Sequence, residues 1–234
     1  MASLLTPARR YGTELLDGTA AEKDEELVLR TISDIGRANA LLGGARAAVA
    51  ELRRMFPLLG THAILLDVGT GLGDVPRRAQ RAAARYGVSL RTIGLDSAQP
   101  ILRHARPRLS HTVCADALSL PLASRSVDVA MCSQTLHHFR GAAAAVLLCE
   151  LQRVARVGVV VSDLRRSWIA AGGFWAVSFP LVFHRVTRHD GVVSVLRGYT
   201  PAELTEIVRS AVGVTPDVHR RAGFRITASW RVPA

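Results

Sequence analysis

The run Leu66-Asp67-Val68-Gly69-Thr70-Gly71-Leu72-Gly73 places three glycines at alternate positions directly behind an acidic residue. Glycines spaced in this way let a backbone turn sharply and approach a bound molecule where any Cβ would collide. A helix starting just after the loop would turn its free N–H groups toward it and favour an anionic group there. The spacing is not that of a dinucleotide loop, G-x-G-x-x-G, because position 74 is aspartate. It is not a nucleoside-triphosphate loop either, since no Gly-Lys-Ser/Thr follows. A carboxylate beside the loop repels pyrophosphate and attracts an amino group, so a ligand with both an α-amino and an α-carboxylate group fits better. Two further acids stand at useful places. Asp96 comes 23 residues after Gly73, a spacing suited to accepting hydrogen bonds from ribose hydroxyls. Asp116, in Cys114-Ala115-Asp116-Ala117, could accept from an exocyclic amine.

These acids share one crevice if each ends a parallel strand, at the carboxyl edge of a doubly wound sheet. The hydropathy pattern supplies such strands. Ala63 to Val68 is a short apolar run of the kind buried in a parallel sheet, and Ser89 to Leu95, His111 to Ala115, Val127 to Cys132 and Val157 to Ser162 read as further strands. Helices are expected between them, over Pro76 to Tyr86, Ala98 to Arg106 and Ala142 to Arg156. Before the first strand, residues 14–56 read as helical, with Glu22, Asp24, Glu25 and Glu26 near the start, a break at Gly43-Gly44 and a second run from Ala45 to Phe56. Near the end, Thr200-Pro201-Ala202-Glu203 is a helix-starting capping box. Phe224, Ile226, Ala228, Trp230 and Val232 alternate with polar residues, as in a half-buried strand antiparallel to a neighbour over Val214–Arg220.

Composition sets the limits of this reading. The 234 residues are 49% apolar and 21% charged, which excludes disordered and low-complexity classes. The formal charge is +11, and Lys23 is the single lysine among 30 basic residues. Arginine replacing lysine over an ordinary surface accounts for this more simply than a nucleic-acid partner. The arginines at 77, 78, 81, 85, 91, 103, 106 and 108 are accordingly expected on a solvated face. The three unclustered cysteines, Cys114, Cys132 and Cys149, read as buried thiols of a reducing compartment. No metal site is expected, because no His/carboxylate cluster has ligand spacing in the sequence. No apolar run reaches the roughly 18 residues of a membrane span, and the first 17 residues lack a signal-peptide core. The chain reads as cytoplasmic.

At the motif level the sequence resembles the class I S-adenosylmethionine (SAM)-dependent methyltransferases. Leu65 to Gly73 is similar to their first motif, Ile93-Gly94-Leu95-Asp96 to their second and Ala115-Asp116-Ala117 to their third. Leu120 to Val129 is similar to the family's stretch between strands three and four, and Ser133-Gln134-Thr135-Leu136-His137-His138-Phe139 to its fourth motif. The resemblance covers about residues 60–163 and, less closely, 198–232. It implies an α/β fold with a doubly wound, mostly parallel seven-stranded sheet in the order 3-2-1-4-5-7-6, strand seven antiparallel. Residues 1–60 would be an N-terminal helical cap and 61–234 the SAM-binding domain, with a helical lid inserted at about 164–198. The resemblance also implies the site. Asp67, Gly69, Thr70, Gly71, Gly73 and Ser133 would serve the methionine end, Asp96 with Ser97 the ribose, and Asp116 and Ala117 the adenine. S-adenosylhomocysteine would be the product. Ile35 to Gly44 further resembles the cofactor-covering N-terminal helix of quinone-biosynthesis-type methyltransferases.

The acceptor must be read from what surrounds this frame. Methyl transfer from a sulfonium needs alignment, and a base only where the acceptor must lose a proton. The segment after the fourth strand has no proline, unlike enzymes that methylate nucleobase or amide nitrogen, and Cys132 sits on an apolar strand as a core residue. His137 and His138 lie just beyond that strand and are the candidate bases. Asp163, His184, His189 and Asp190 are weaker candidates. Trp168 to Phe183 holds no charge in 16 residues and contains Trp168, Phe174, Trp175, Phe179 and Phe183. An aromatic lid of this kind suits a small hydrophobic acceptor such as a phenol, quinone or polyketide, with O-methylation ahead of C-methylation. The same segment is compatible with peripheral membrane contact. The sequence leaves a monomer or homodimer open, and two other functions also remain open: a nucleic-acid methyltransferase and a SAM-binding regulatory subunit.

Overall fold

The computed structural model describes residues 5–15 and 25–233. Glu22 and Asp24 lie outside the described residues, while Glu25 and Glu26 open the first helix. In chain order the elements are α1 (Glu25–Leu41), α2 (Gly44–Leu52), β1 (His62–Val68), α3 (Asp74–Ala84), β2 (Ser89–Asp96), α4 (Gln99–Ala105), β3 (His111–Cys114), β4 (Val127–Ser133), α5 (Ala142–Val154), β5 (Ala155–Leu164), α6 (Trp168–Val177), α7 (Arg185–Arg197), α8 (Pro201–Val212), β6 (Asp217–Arg221) and β7 (Arg225–Arg231). The seven strands form one sheet in the order β3-β2-β1-β4-β5-β7-β6. β7 runs antiparallel to both β5 and β6, and the other pairings are parallel.

The apolar runs become strands because both sheet faces are covered. On one face Leu66, Val68, Ala130 and Val161 share a core with Leu147, Leu148 and Leu151 of α5 and Leu204 and Val208 of α8. On the other, Leu65, Val129 and Val160 pack against Ala45, Ala48, Val49 and Leu52 of α2 and Ala79, Ala82 and Ala83 of α3. The small side chains of α3 face the sheet and its arginines face water, so Arg77, Arg78, Arg81 and Arg85 are exposed as expected. Arg91, Arg103 and Arg106 are exposed as well, and half-buried Arg108 donates to the carbonyl of Leu72 at 2.9 Å. The capping box at Thr200 is formed, with Glu203 accepting from the Thr200 amide.

Several expectations need correction. α2 ends at Leu52, short of Phe56, and Phe56–Leu58 make a separate 3-10 turn that includes Pro57. α5 ends at Val154, and β5 begins at once at Ala155. Of the cysteines, only Cys132 is buried; Cys114 and Cys149 are exposed at the sheet edge and on α5. The alternating strand β7 is not half-buried. Both its faces are covered, and Arg225 through Trp230 are all buried.

The polar face of β7 is covered by α2, and one carboxylate makes this possible. Glu51 of α2 is buried and accepts from Thr227 Oγ1 at 2.6 Å, Ser229 Oγ at 2.7 Å and Arg221 at 2.6 Å. Burial alone would raise its pKa, but these hydrogen bonds and the Arg221 charge bring it below the ordinary glutamate value. The alternation was therefore a true strand signal, and the polar side chains are matched to a buried acid instead of to water.

Replacing Glu51 with alanine should cost about 3 kcal/mol of folding stability, because it strands two hydroxyls and a guanidinium under a helix. Urea unfolding checks this. Since the folded pKa is depressed, the Glu51 contribution is present above the ordinary glutamate pKa and is lost as pH falls through the folded value.

Candidate functional site

Three strands end on acids at the same edge of the sheet. β1 and β4 are neighbours whose onward connections diverge, β1 toward β2 and β4 toward β5, which opens a crevice between their carboxyl ends. The glycine loop lies across this opening. Gly69, Gly71 and Gly73 all have positive φ, at 71°, 53° and 74°, conformations that side chains disfavour. A Cβ on Gly69 would lie 2.3 Å from Thr135 Oγ1. The amides of Gly69 and Thr70 donate to the Leu95 carbonyl at 2.8 and 3.0 Å, which fastens the loop to β2.

The acids behave differently from one another. Asp67 is sealed beneath the loop, where Thr70 Oγ1 donates to its Oδ2 at 2.9 Å and its Oδ1 has no partner. Burial, with the neighbouring charge of Asp96, pushes its pKa up to about 7 against the Thr70 hydrogen bond. Asp96 accepts from the amides of Gly71 at 3.2 Å and Ala98 at 3.1 Å. Burial still raises its pKa, with these hydrogen bonds acting against it. Asp116, at the end of β3, is exposed and accepts from the Leu118 amide at 2.9 Å. Ser133 Oγ, at the end of β4, is buried without a partner.

A cavity of about 820 Å³ joins these groups. Asp67, Gly69, Thr70, Gly71, Asp96, Ser97, Asp116, Ala117 and Ser133 all line it, whereas Gly73 does not and serves as the cap of α3. Its roof is made by α1, through Ile32 and Ile35, by Leu42 just after it, and by α6 and α7, through Ala170, Phe174 and Val195. Asp34 joins the two parts of the roof: it accepts from the His184 amide at 2.9 Å and Thr187 Oγ1 at 3.1 Å, linking α1 to α7.

The lid aromatics are only partly where the sequence placed them. Of Trp168, Phe174, Trp175, Phe179 and Phe183, only Phe174 lines the cavity. Trp168, Trp175 and Phe179 are exposed on the outer side, and Phe183 is buried beside Phe174 with a centroid distance of 6.2 Å. α6 is apolar all round, so its pattern carried no signal for which face would turn inward.

His137 and His138 both line the cavity but differ in their surroundings. His137 is buried, and its Nδ1 lies 2.7 Å from Asp163 Oδ1; Asp163 Oδ2 accepts from the His137 amide at 3.0 Å. Nε2 is left without a hydrogen-bond partner. Burial of Asp163 favours its neutral form, but the His137 charge and hydrogen bond and the Leu164 amide outweigh this and keep the pKa below the usual value. An ionised Asp163 fixes the proton on Nδ1 and leaves Nε2 as a lone-pair acceptor. His138 stacks on His137 at 4.3 Å and has its Nδ1 3.4 Å from Arg197.

Glu14 was not anticipated. It comes from the N-terminal strap, residues 5–15, and is buried 3.8 Å from both His137 Nε2 and His138 Nδ1. The three groups form a cluster with metal-like proximity, all ligand atoms lying within 4.8 Å of one another. Local spacing could not show this grouping, since the acid is more than 120 positions from the histidines. The Arg197 guanidinium, 3.0 Å from Glu14, already supplies positive charge there. Arg225 was also missed. It is buried, is the only arginine lining the cavity among the described residues, and donates to Gln134 Oε1 at 2.8 Å. Burial pushes its pKa down to about 10. Of the weaker candidates, Asp190 lines the cavity and accepts from the Leu15 amide at 2.7 Å, whereas His184 and His189 do not line it.

Comparison with known proteins agrees with this geometry. Residues 66–162 match the family model described as a methyltransferase domain. No curated protein matches the sequence. Among solved structures, a SAM-dependent methyltransferase from Aquifex aeolicus is 17% identical over 88% of this chain and 98% of its own, with a TM-score of 0.60. Human N-acetylserotonin methyltransferase, solved with SAM, is 13% identical over 96% of this chain and 61% of its own, with a TM-score of 0.65. Magnesium protoporphyrin IX methyltransferase from Synechocystis, solved with SAH, is 14% identical over 82% and 83%, with a TM-score of 0.55. At these identities what is shared is the fold.

The raised pKa of Asp67 makes a stability prediction for the ligand-free protein. An acid whose folded pKa lies above its unfolded value favours the fold at low pH and loses that support as pH rises toward 7. The loss is on the order of 4 kcal/mol. Asp67→Asn should therefore unfold at higher urea than the parent at pH 8, and the difference should vanish near pH 4.

Proposed function

We propose that this protein is a SAM-dependent methyltransferase that places a methyl group on an oxygen of a small apolar acceptor of phenol, quinone or polyketide kind. The observation that carries this reading is the His137–Asp163 pair: His137 lines the same cavity as Ile35, Phe174 and Val195, and its Nε2 has no hydrogen-bond partner.

The residues present fit the donor. A buried carboxylate oxygen without a partner, on Asp67, suits its ammonium group, and the unpartnered Ser133 hydroxyl lies on the same wall. Arg225 offers a counter-charge to its carboxylate. Gly71 adds no side chain to the loop, and a Cβ there would meet only Ile32, at 3.9 Å. Asp96 and Ser97 are the groups for the ribose, and Asp116 and Ala117 those for the adenine. The bound donor supplies an electrophilic methyl on a sulfonium.

The remaining work falls to side chains of this chain. A hydroxyl oxygen is a poor nucleophile until its proton leaves, so a base must stand within reach. His137 Nε2 accepts that proton, and the Nδ1–H bond to ionised Asp163 stabilises the resulting imidazolium. Glu14, held by Arg197 and by Ser194 Oγ at 2.6 Å, lies close enough to add further negative potential. Ile35, Phe174 and Val195 hold an apolar ring and exclude water from the transfer.

Transfer of labelled methyl to a panel of phenols and hydroquinones, with tRNA and rRNA in parallel, tests the acceptor class. Label on RNA alone would overturn the reading, as would donor binding without turnover on any acceptor. His137→Gln should lower kcat by about 10²–10⁴-fold while donor affinity changes by less than about twofold, and Asp163→Asn should slow the reaction in the same way.

Asp67 also ties donor affinity to pH. A cationic group beside it needs the carboxylate ionised, so below pH 7 affinity should fall toward about tenfold per pH unit. Calorimetry between pH 5.5 and 7 should show this slope in the parent and a flat, weaker response in Asp67→Asn.

A further inference from the structure

The roof helix α6 has two faces, and the cavity uses one of them. Ala170, Gly173 and Phe174 look inward. On the outer side Trp168, Trp175 and Phe179 are 41%, 53% and 47% exposed, and Val182 in the following turn is 72% exposed. No charged residue lies between Ser167 and Phe183. Water therefore meets several exposed apolar side chains, among which Trp175 and Phe179 pack edge to face at 4.8 Å. Contiguous apolar patches on soluble surfaces mark interaction sites.

The surrounding charge selects the partner. Over residues 164–202 the charged side chains are Arg165, Arg166, Arg185, Arg188, Arg197 and Asp190, and Asp190 is buried. Arg188 lies over the Phe179 ring at 3.7 Å, Arg10 of the strap lies over Trp168 at 4.8 Å, and Arg185 is exposed. A two-fold contact between copies of this chain would press this cationic rim against itself, with no exposed acid of the segment to offset it. An aromatic and aliphatic centre inside an arginine rim instead complements an anionic lipid surface. Aromatic rings sit at the headgroup level, and guanidinium groups meet the phosphates.

We propose that residues 168–182 dock the enzyme on an anionic membrane surface, with Trp175 and Phe179 entering the headgroup–acyl boundary and Arg10 and Arg185 meeting lipid phosphates. Docking is peripheral, since no helix among the described residues is long and apolar enough to cross a membrane. The inner face of the docked helix borders the cavity, so the roof stands between that cavity and the phase in which apolar molecules concentrate. The surface does not depend on which molecule the cavity accepts.

Flotation of the full chain with phosphatidylcholine vesicles, with and without phosphatidylglycerol, tests this. The protein should float with the anionic vesicles at low salt and less as salt rises. The tryptophan emission should shift to the blue on binding, because Trp230 is already buried and the change reports Trp168 and Trp175. Trp175→Ser with Phe179→Ser should reduce partitioning by at least about tenfold, and Arg185→Gln by roughly fivefold. Melting curves of each variant distinguish lost docking from lost folding. Absence of flotation at low salt overturns the proposal. So does binding that survives the double substitution in a folded protein, or a stable dimer in solution that the double substitution dissolves.

Discussion

A carboxylate sealed at the end of the central strand sets the terms for everything around it. Asp67 is almost fully buried at the cavity wall, and one of its oxygens has no partner. The loop above it must close tightly enough to exclude solvent and stay open enough to admit a ligand. Glycines at 69 and 71, in conformations other residues resist, meet both demands. The Leu95 carbonyl fixes the loop on one side, and Thr135 fills the space a Gly69 side chain would need. The result is a preformed pocket that holds an unfavourable charge until a cation neutralises it.

The roof is attached by polar pins, in contrast to the apolar packing that joins helices to the sheet. Asp34 holds α1 to α7, and Arg197 binds the Gly12 carbonyl at 2.8 Å through Nε and Glu14 through its guanidinium. Arg166, itself buried, bonds the Pro7 carbonyl at 2.8 Å and Glu203 at 2.7 Å. A small part of the arginine excess is thus structural, since Arg166, Arg197 and Arg225 are buried while those of α3 face water. Guanidinium groups with several donors each can fasten an irregular strap to helices that offer it mainly carbonyls.

The sheet was legible in the sequence because its central strands are largely apolar and because strands and helices alternate at regular spacing. On that basis Asp67, Asp96 and Asp116 could be placed at one edge of the sheet, where all three line the cavity. What stayed hidden depended on distant partners. The alternation of β7 suggested a wet face because nothing local announces that Glu51, about 175 residues away, accepts from Thr227 and Ser229. Glu14 had no neighbours in sequence to mark it, and its place beside His137 follows from how the strap is pinned. The orientation of Trp168, Trp175 and Phe179 was hidden for a different reason: a helix apolar on every side has no preferred inward face until its neighbours are known.

The division between rigid edge and pinned roof separates chemistry from selection. His137 lies in the turn after β4, and Asp163 belongs to β5, so the proposed relay rests on two neighbouring central strands paired from Val129 to Ser133. The groups proposed for the donor rest at the ends of β1, β2 and β3. By contrast, the apolar walls of the proposed acceptor space come from α1, α6 and α7, with a smaller apolar cluster of Leu164, Ala171, Val195 and Leu196. Side chains at Ile35, Phe174 or Val195 can therefore change, and with them the shape of the guest, without displacing the base from its acid. A change at Asp163 or Asp67 has no such freedom, because each is buried against the backbone that forms the crevice itself.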